Sequence, residues 1–233
     1  MQMVKKLIRK SLGNGVAGTL LALGILHCSS VQAGLLVAQY EQTGGSVLSV
    51  ADADALIAAT SPTPAPSVFG VINFSDIPTQ GHFAGDAAFP NNDGGGPYSE
   101  RNDTFAVHVT GSVILGSAGT YTFGTSTDDG VRLVVDGTML ILDNSIAPPH
   151  DRFGTITLSA GLHPIDLVFF ENAGGADLEL FAAEGSYSSF GSNPFHLLGA
   201  VDGLQTTVVP EPAALTLLGL GLFGLGFSRR NRP

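Results

Sequence analysis

Two aspartates stand side by side at Asp128-Asp129 and are followed by Gly130. Adjacent carboxylates are hard oxygen donors of the kind that divalent cations such as calcium prefer. In an extended strand, however, neighbouring side chains point to opposite faces, so to share one ion the chain must bend between them. A cis peptide would do this by drawing the two Cα atoms to about 2.9 Å. A plainer reading stands beside it. Asp-Asp-Gly is a common turn, and Glu171-Asn-Ala-Gly-Gly175 is a second loop rich in turn formers.

Other chemistry has less to work with. His82, His108, His150 and His163 are scattered through the chain, with no His-Glu-x-x-His or nucleophile-elbow spacing. A glycosidase needs two carboxylates held across a cleft, which abundant Asp and Glu do not by themselves supply. The expectation is a protein that is not an enzyme, with structural or exposed histidines.

The elements around the aspartates read as strands and turns. Period-2 alternation places strands at 120–127 and 131–135, neighbours joined at Asp128-Asp129-Gly130, and a further strand at 138–142. Asp136-Gly137 between the last two suits a tight turn with positive φ. Later strands are expected at 154–158, 164–170 and 176–181, with one short helix over 49–59. Many short strands with turn signals predict an all-β fold, an antiparallel β-sandwich or barrel. Residues 75–104, dominated by Gly, Asp, Asn and Pro, form a long loop of the kind that is either functional or disordered.

The chain has 233 residues and a formal net charge of -10. Its basic residues crowd the ends: Lys5, Lys6, Arg9 and Lys10 at the start, and Arg229, Arg230 and Arg232 at the finish. Only Arg101, Arg132 and Arg152 lie between them. So acidic a body repels phosphates, which argues against a nucleic acid partner. Cys28, the single cysteine, falls in the N-terminal segment, so the body has no disulfide and no thiolate metal site.

Residues 1–33 have a basic start, an apolar stretch and small residues before a cut, the layout of a secretory signal peptide cleaved after Ala33. The β-domain is expected over 34–187 and a linker over 188–208. Over 209–233, Pro210-Glu211-Pro212 leads into an apolar run at 213–227, and Arg229, Arg230 and Arg232 follow. The prolines bar a strand or helix from running into that segment. The arginines hold the extreme C-terminus on the cytoplasmic side, which leaves the body across the inner membrane. The run is short for a span, so the predicted membrane contact through 213–227 is transient.

Pro-Glu-Pro, an apolar helix and an arginine cluster in this order resemble the PEP-CTERM sorting signal of Gram-negative bacteria. The resemblance implies an exosortase partner that cuts near the motif and delivers the protein to the cell surface or extracellular matrix. Within the body, five pieces carry a second resemblance: Phe105-Ala-Val-His-Val-Thr-Gly111, Gly119-Thr-Tyr-Thr-Phe123, the run 128–137, Ala160-Gly-Leu-His-Pro-Ile165 and the run 169–176. In order and spacing they are similar to the PA-fourteen domain, named after the anthrax protective antigen. That resemblance implies a β-sandwich or barrel that binds carbohydrate. In fungal adhesins of this kind a cis-linked Asp-Asp pair and an asparagine from a later loop bind Ca²⁺. The matching residues here are Asp128, Asp129 and Asn172, with Ca²⁺ as cofactor and a glycan or exopolysaccharide as ligand. The alternative is a non-catalytic structural protein of the matrix or biofilm that needs no specific ligand.

Overall fold

In the strand ending at Glu171, Ile165, Leu167 and Phe169 face one side, and Val168 and Phe170 face the other. All five are buried, so this strand needs cover on both faces, and the fold supplies it. The computed structural model describes residues 32–77, 80–91 and 104–208. In chain order these form β1 (Gln32–Ala33), β2 (Leu35–Glu41), α1 (Val50–Ala59), β3 (Ser67–Phe69), β4 (Asn73–Ser75) and β5 (Phe105–Leu115). There follow β6 (Gly119–Asp128), β7 (Gly130–Val135), β8 (Thr138–Asp143), β9 (His150–Leu158), β10 (Gly161–Glu171), β11 (Asp177–Glu184), β12 (His196–Leu197) and β13 (Gln205–Val208).

The strands make two antiparallel sheets. The larger runs β1-β13-β5-β10-β7-β8, with β2 also on β5 and β3 on β2; the smaller runs β12-β11-β6-β9, with β4 on β11. Their inner faces meet in one core, to which the larger sheet gives Val107, Leu133, Leu167 and Phe169 and the smaller gives Phe123, Leu158, Leu178 and Leu180. Each such side chain contributes about 1.5–3 kcal/mol through full burial. Of the expected sandwich or barrel, the architecture is the sandwich, two separate sheets packed face to face.

The outer face of β10 is covered by α1, whose Val50, Ala53 and Leu56 pack with Ala106, Val168 and Phe170. The helix starts where the sequence suggests. Ser49 caps it by accepting the Asp52 amide, which satisfies one of the amides left open at a helix start. Arg132 on β7 clamps the helix to the sheet through Asp54. On the opposite side of the molecule, Phe181 and Ala183 of β11 are covered by Phe83, Phe190 and Phe195. Among the described residues no helix is long and apolar enough to cross a membrane.

Two expectations are corrected. The strands on either side of Asp128-Asp129-Gly130 are not a hairpin, because β6 pairs with β9 and β11 whereas β7 pairs with β10 and β8. The aspartates instead carry the chain from one sheet to the other. Gly130 serves close packing there: a Cβ on it would meet the Phe170 ring, and the Asp143 carbonyl oxygen at 2.7 Å. The genuine hairpin is the next one, with positive φ at Asp136 and Gly137 between β7 and β8, as expected. The second correction concerns 188–208. This segment holds β12 and β13 and buries Phe195 and Leu198, so it belongs to the domain rather than to a linker.

Candidate metal centre

Two crossings between the sheets lie side by side at one end of the sandwich. One is the Asp128–Asp129 peptide, which is cis. The other is the loop that leaves β10 at Glu171 and enters β11 at Asp177. The register binds them together, with Phe170 opposite Gly130 in the larger sheet and Asp177 opposite Asp128 in the smaller. Oxygen atoms of Asp128, Asp129 and Glu171 consequently lie within 4.8 Å of one another.

Burial distinguishes the three. Asp129 is 2% exposed and Glu171 0%, whereas Asp128 is partly open to solvent. Asp129 is well supported: Oδ1 accepts the Ala147 amide at 2.8 Å and Oδ2 accepts the Asn172 amide at 3.0 Å. Glu171 is not. Both its carboxylate oxygens are buried without a hydrogen bond, although the Ala173 amide lies near enough to favour the charged form. The Oδ1 atom of Asn172 is likewise buried and without a partner. Its backbone carbonyl is engaged, accepting the Thr104 hydroxyl at 2.6 Å.

The electrostatics follow from this crowding. Burial, then the charges of Asp129 and Asp128, push the Glu171 carboxyl up to about 10. Burial, then Asp129, push Asp128 up to about 7, against a small opposing effect of His150. Burial also raises Asp129, with the Asn172 and Ala147 amides pulling the other way. Next door, Asp177 is pushed up to about 8 by burial and by Glu179. Buried oxygens that lack donors, beside carboxylates that repel one another, are the arrangement that a hard cation with oxygen ligands would relieve. Asp128, Asp129 and Glu171 are hard oxygen donors of the type that could hold calcium, with the Oδ1 of Asn172 as a further candidate donor nearby.

The structure brings Asp128 and Asp129 together with Glu171, which the sequence reading did not name as a ligand, and sets Asn172 beside them through its amide on Asp129. A signal existed, since an acid directly follows the apolar run 167–170, at a strand end where the neighbouring residues are all buried. Ala33 lies in β1, opposite Thr207, and the Gly34 amide beyond it donates to the Thr206 carbonyl. Pro210, Glu211, Pro212, Arg229 and Arg230 lie outside the described residues. Each described histidine sits on an aspartate: His82 on Asp151, His108 on Asp166, His150 on Asp143, His163 on Asp136 and His196 on Asp202.

The PA14 domain model matches residues 67–186. The chain belongs to the PA14 domain family. Solved PA14 structures agree with the fold. The PA14 domain of the MpAFP antifreeze protein superposes with a TM-score of 0.57 at 16% identity, covering 84% of this chain and 97% of that one. A PA14 sugar-binding domain from an RTX adhesin gives 0.52 at 28% identity, covering 69% and 96%. The A domain of epithelial adhesin 9 from Candida glabrata, solved with Galβ1-4GlcNAc, gives 0.50 at 13% identity, covering 78% and 92%. No curated protein matches the chain. Beyond the PA14 domain, residues 208–230 match the PEP-CTERM protein-sorting motif, which marks an exosortase-sorted surface protein.

Proposed function

We propose that this PA14 domain is a calcium-dependent carbohydrate-binding module, displayed at the cell surface or in the extracellular matrix of a Gram-negative bacterium. The observation that carries the proposal is the cluster of Asp128, Asp129 and Glu171 within 4.8 Å, with the oxygens of Glu171 and the Oδ1 of Asn172 buried and lacking donors. Asp128, Asp129, Glu171 and Asn172 would hold the ion. Bound there, calcium would supply open coordination positions for sugar hydroxyls. The half-exposed Asp128 lies on the solvent side of the cluster and the fully buried Glu171 lies behind it, so a ligand would approach past Asp128. The RTX adhesin domain, named as sugar-binding, supports the ligand class at 28% identity. In this proposal exosortase removes the C-terminal segment after a transient membrane contact through 213–227, and the module does no catalysis.

The test is calorimetric titration with Ca²⁺, followed by a glycan array with and without chelator. Saturable calcium binding and glycan signals that vanish in chelator support the proposal. A protein that takes up no calcium would sink it and leave the ligand-free structural matrix protein as the better reading.

A further inference from the structure

Asp129 is directed from two sides, and one of those sides holds no candidate ligand. The Ala147 amide on Oδ1 belongs to the loop 144–149 that joins β8 to β9. Loops of this length on a surface are ordinarily mobile, but this one is tied down along its length. At its start, Asp143 Oδ1 accepts the Ser145 amide at 2.9 Å and the Ser145 hydroxyl at 2.6 Å. At its end, His150 meets Asp143 Oδ2 at 2.6 Å through Nε2 and the Pro148 carbonyl at 2.9 Å through Nδ1. Arg152 Nε reaches the same Oδ2 at 2.8 Å. Asn144 Oδ1 accepts the amide of Val50, the first residue of α1, at 2.8 Å.

Asp143 is the centre of this arrangement. It is 6% exposed, lies opposite Val131 in the larger sheet, and has both carboxylate oxygens occupied by the two ends of the loop. It is not one of the grouped carboxylates, yet it holds Ser145 and His150, which flank the Ala147 amide that donates to Asp129. An ionised carboxylate has about four lone-pair sites. With one on each oxygen spent on an amide, the remaining pairs of Asp129 are fixed in direction.

We infer that Asp143 is a positioning residue of the metal site, acting through the 144–149 loop on the Asp129 carboxylate. The inference rests on the calcium reading above. Outer partners of this kind ordinarily change metal affinity by about 10-fold to 100-fold when removed.

The experiment compares the purified wild type with Asp143→Asn and Ala147→Pro. Asp143→Asn weakens the buried knot itself. Ala147→Pro deletes the amide donor and leaves every carboxylate in place, so it decides the matter if Asp143→Asn fails to fold. Calcium affinity is measured by calorimetry. The waters on bound Tb³⁺, a calcium probe, are counted from luminescence lifetimes in H₂O and D₂O, which a merely structural role would not alter. Both folded variants are expected to bind calcium about 10-fold or more weakly, and their bound Tb³⁺ to carry additional water. A wild type that binds calcium, with variants unchanged in affinity and in water count, overturns the inference alone. A wild type that binds neither ion overturns the calcium reading and the inference with it.

Discussion

The backbone amide of Asn172 donates to Oδ2 of Asp129 at 3.0 Å, so the two sheet-to-sheet crossings of the sandwich are joined at the candidate metal centre. Occupancy of that centre should be felt by both sheets.

The first prediction separates stability from binding at Glu171. Its buried carboxylate lacks hydrogen bonds, and burying such a group unsatisfied is unfavourable. Glu171→Gln should raise the melting temperature measured in chelator by about 2–4 °C for each kcal/mol gained. The same variant should lose at least about 10-fold in calcium affinity. A scanning-fluorimetry series with and without calcium reads both effects. A variant that melts lower in chelator would contradict the first.

The second concerns pH. Asp128 rises from 3.8 to about 7, Asp177 from 3.8 to about 8 and Glu171 from 4.5 to about 10. Above their ordinary values these groups ionise more readily in the unfolded chain, so their contribution is fully present below about pH 4 and is lost as pH rises through the raised values. In chelator, the melting temperature should fall steadily from about pH 4 toward pH 8 and beyond. Calcium should flatten that fall, and its affinity should rise over the same interval as it displaces protons. A melting temperature that rises with pH in chelator would show the sign to be wrong.

The third tests the packing of the crossing. Gly130→Ala would force a methyl group against Phe170 and the Asp143 carbonyl, an overpacking that costs about 1–3 kcal/mol. Chemical denaturation should show the loss, and calcium affinity should fall with it because Asp129 is the adjacent residue.

The fourth concerns the end of the domain. A chain ended after residue 187 would lose β12 and β13 together with the cover that Phe190 and Phe195 give to Phe181. It should melt without cooperativity, whereas a chain ended after residue 208 should melt in one transition. Circular dichroism distinguishes the two.

These tests also mark where the sequence was legible. Alternation along 164–170 was enough to find β10, and Asp-Gly at 136–137 was enough to find a hairpin, because each depends on local geometry. Asp128-Asp129-Gly130 looked alike locally but behaves differently. Whether two consecutive strands pair or part to different sheets is decided by what β9 and β10 bring to them later in the chain. Glu171 was overlooked because an acid directly after the apolar run 167–170 points to a buried carboxylate without telling what it faces, which only the pairing of β10 with β7 supplies. The segment 188–208 misled by composition: its Gly, Ser, Asn and Pro resemble a linker, while Phe195, Leu198 and the short β13 are what fasten it down.

The two ends of the domain meet where the Gly34 amide, just before β2, donates to the Thr206 carbonyl of β13. Thr207 lies opposite Ser112 on β5, and Glu171 lies opposite Phe105 at the far end of the same strand. Seven residues of β5 thus separate the C-terminal end of the domain from the carboxylate cluster, about 23 Å at the usual rise per residue. A pull applied between that end and the cluster would load this strand lengthwise. Ladder hydrogen bonds run across antiparallel strands, so the load would fall on many of them at once in shear instead of peeling them apart one by one. Such a layout resists a pull applied between the domain's ends and its carboxylate cluster.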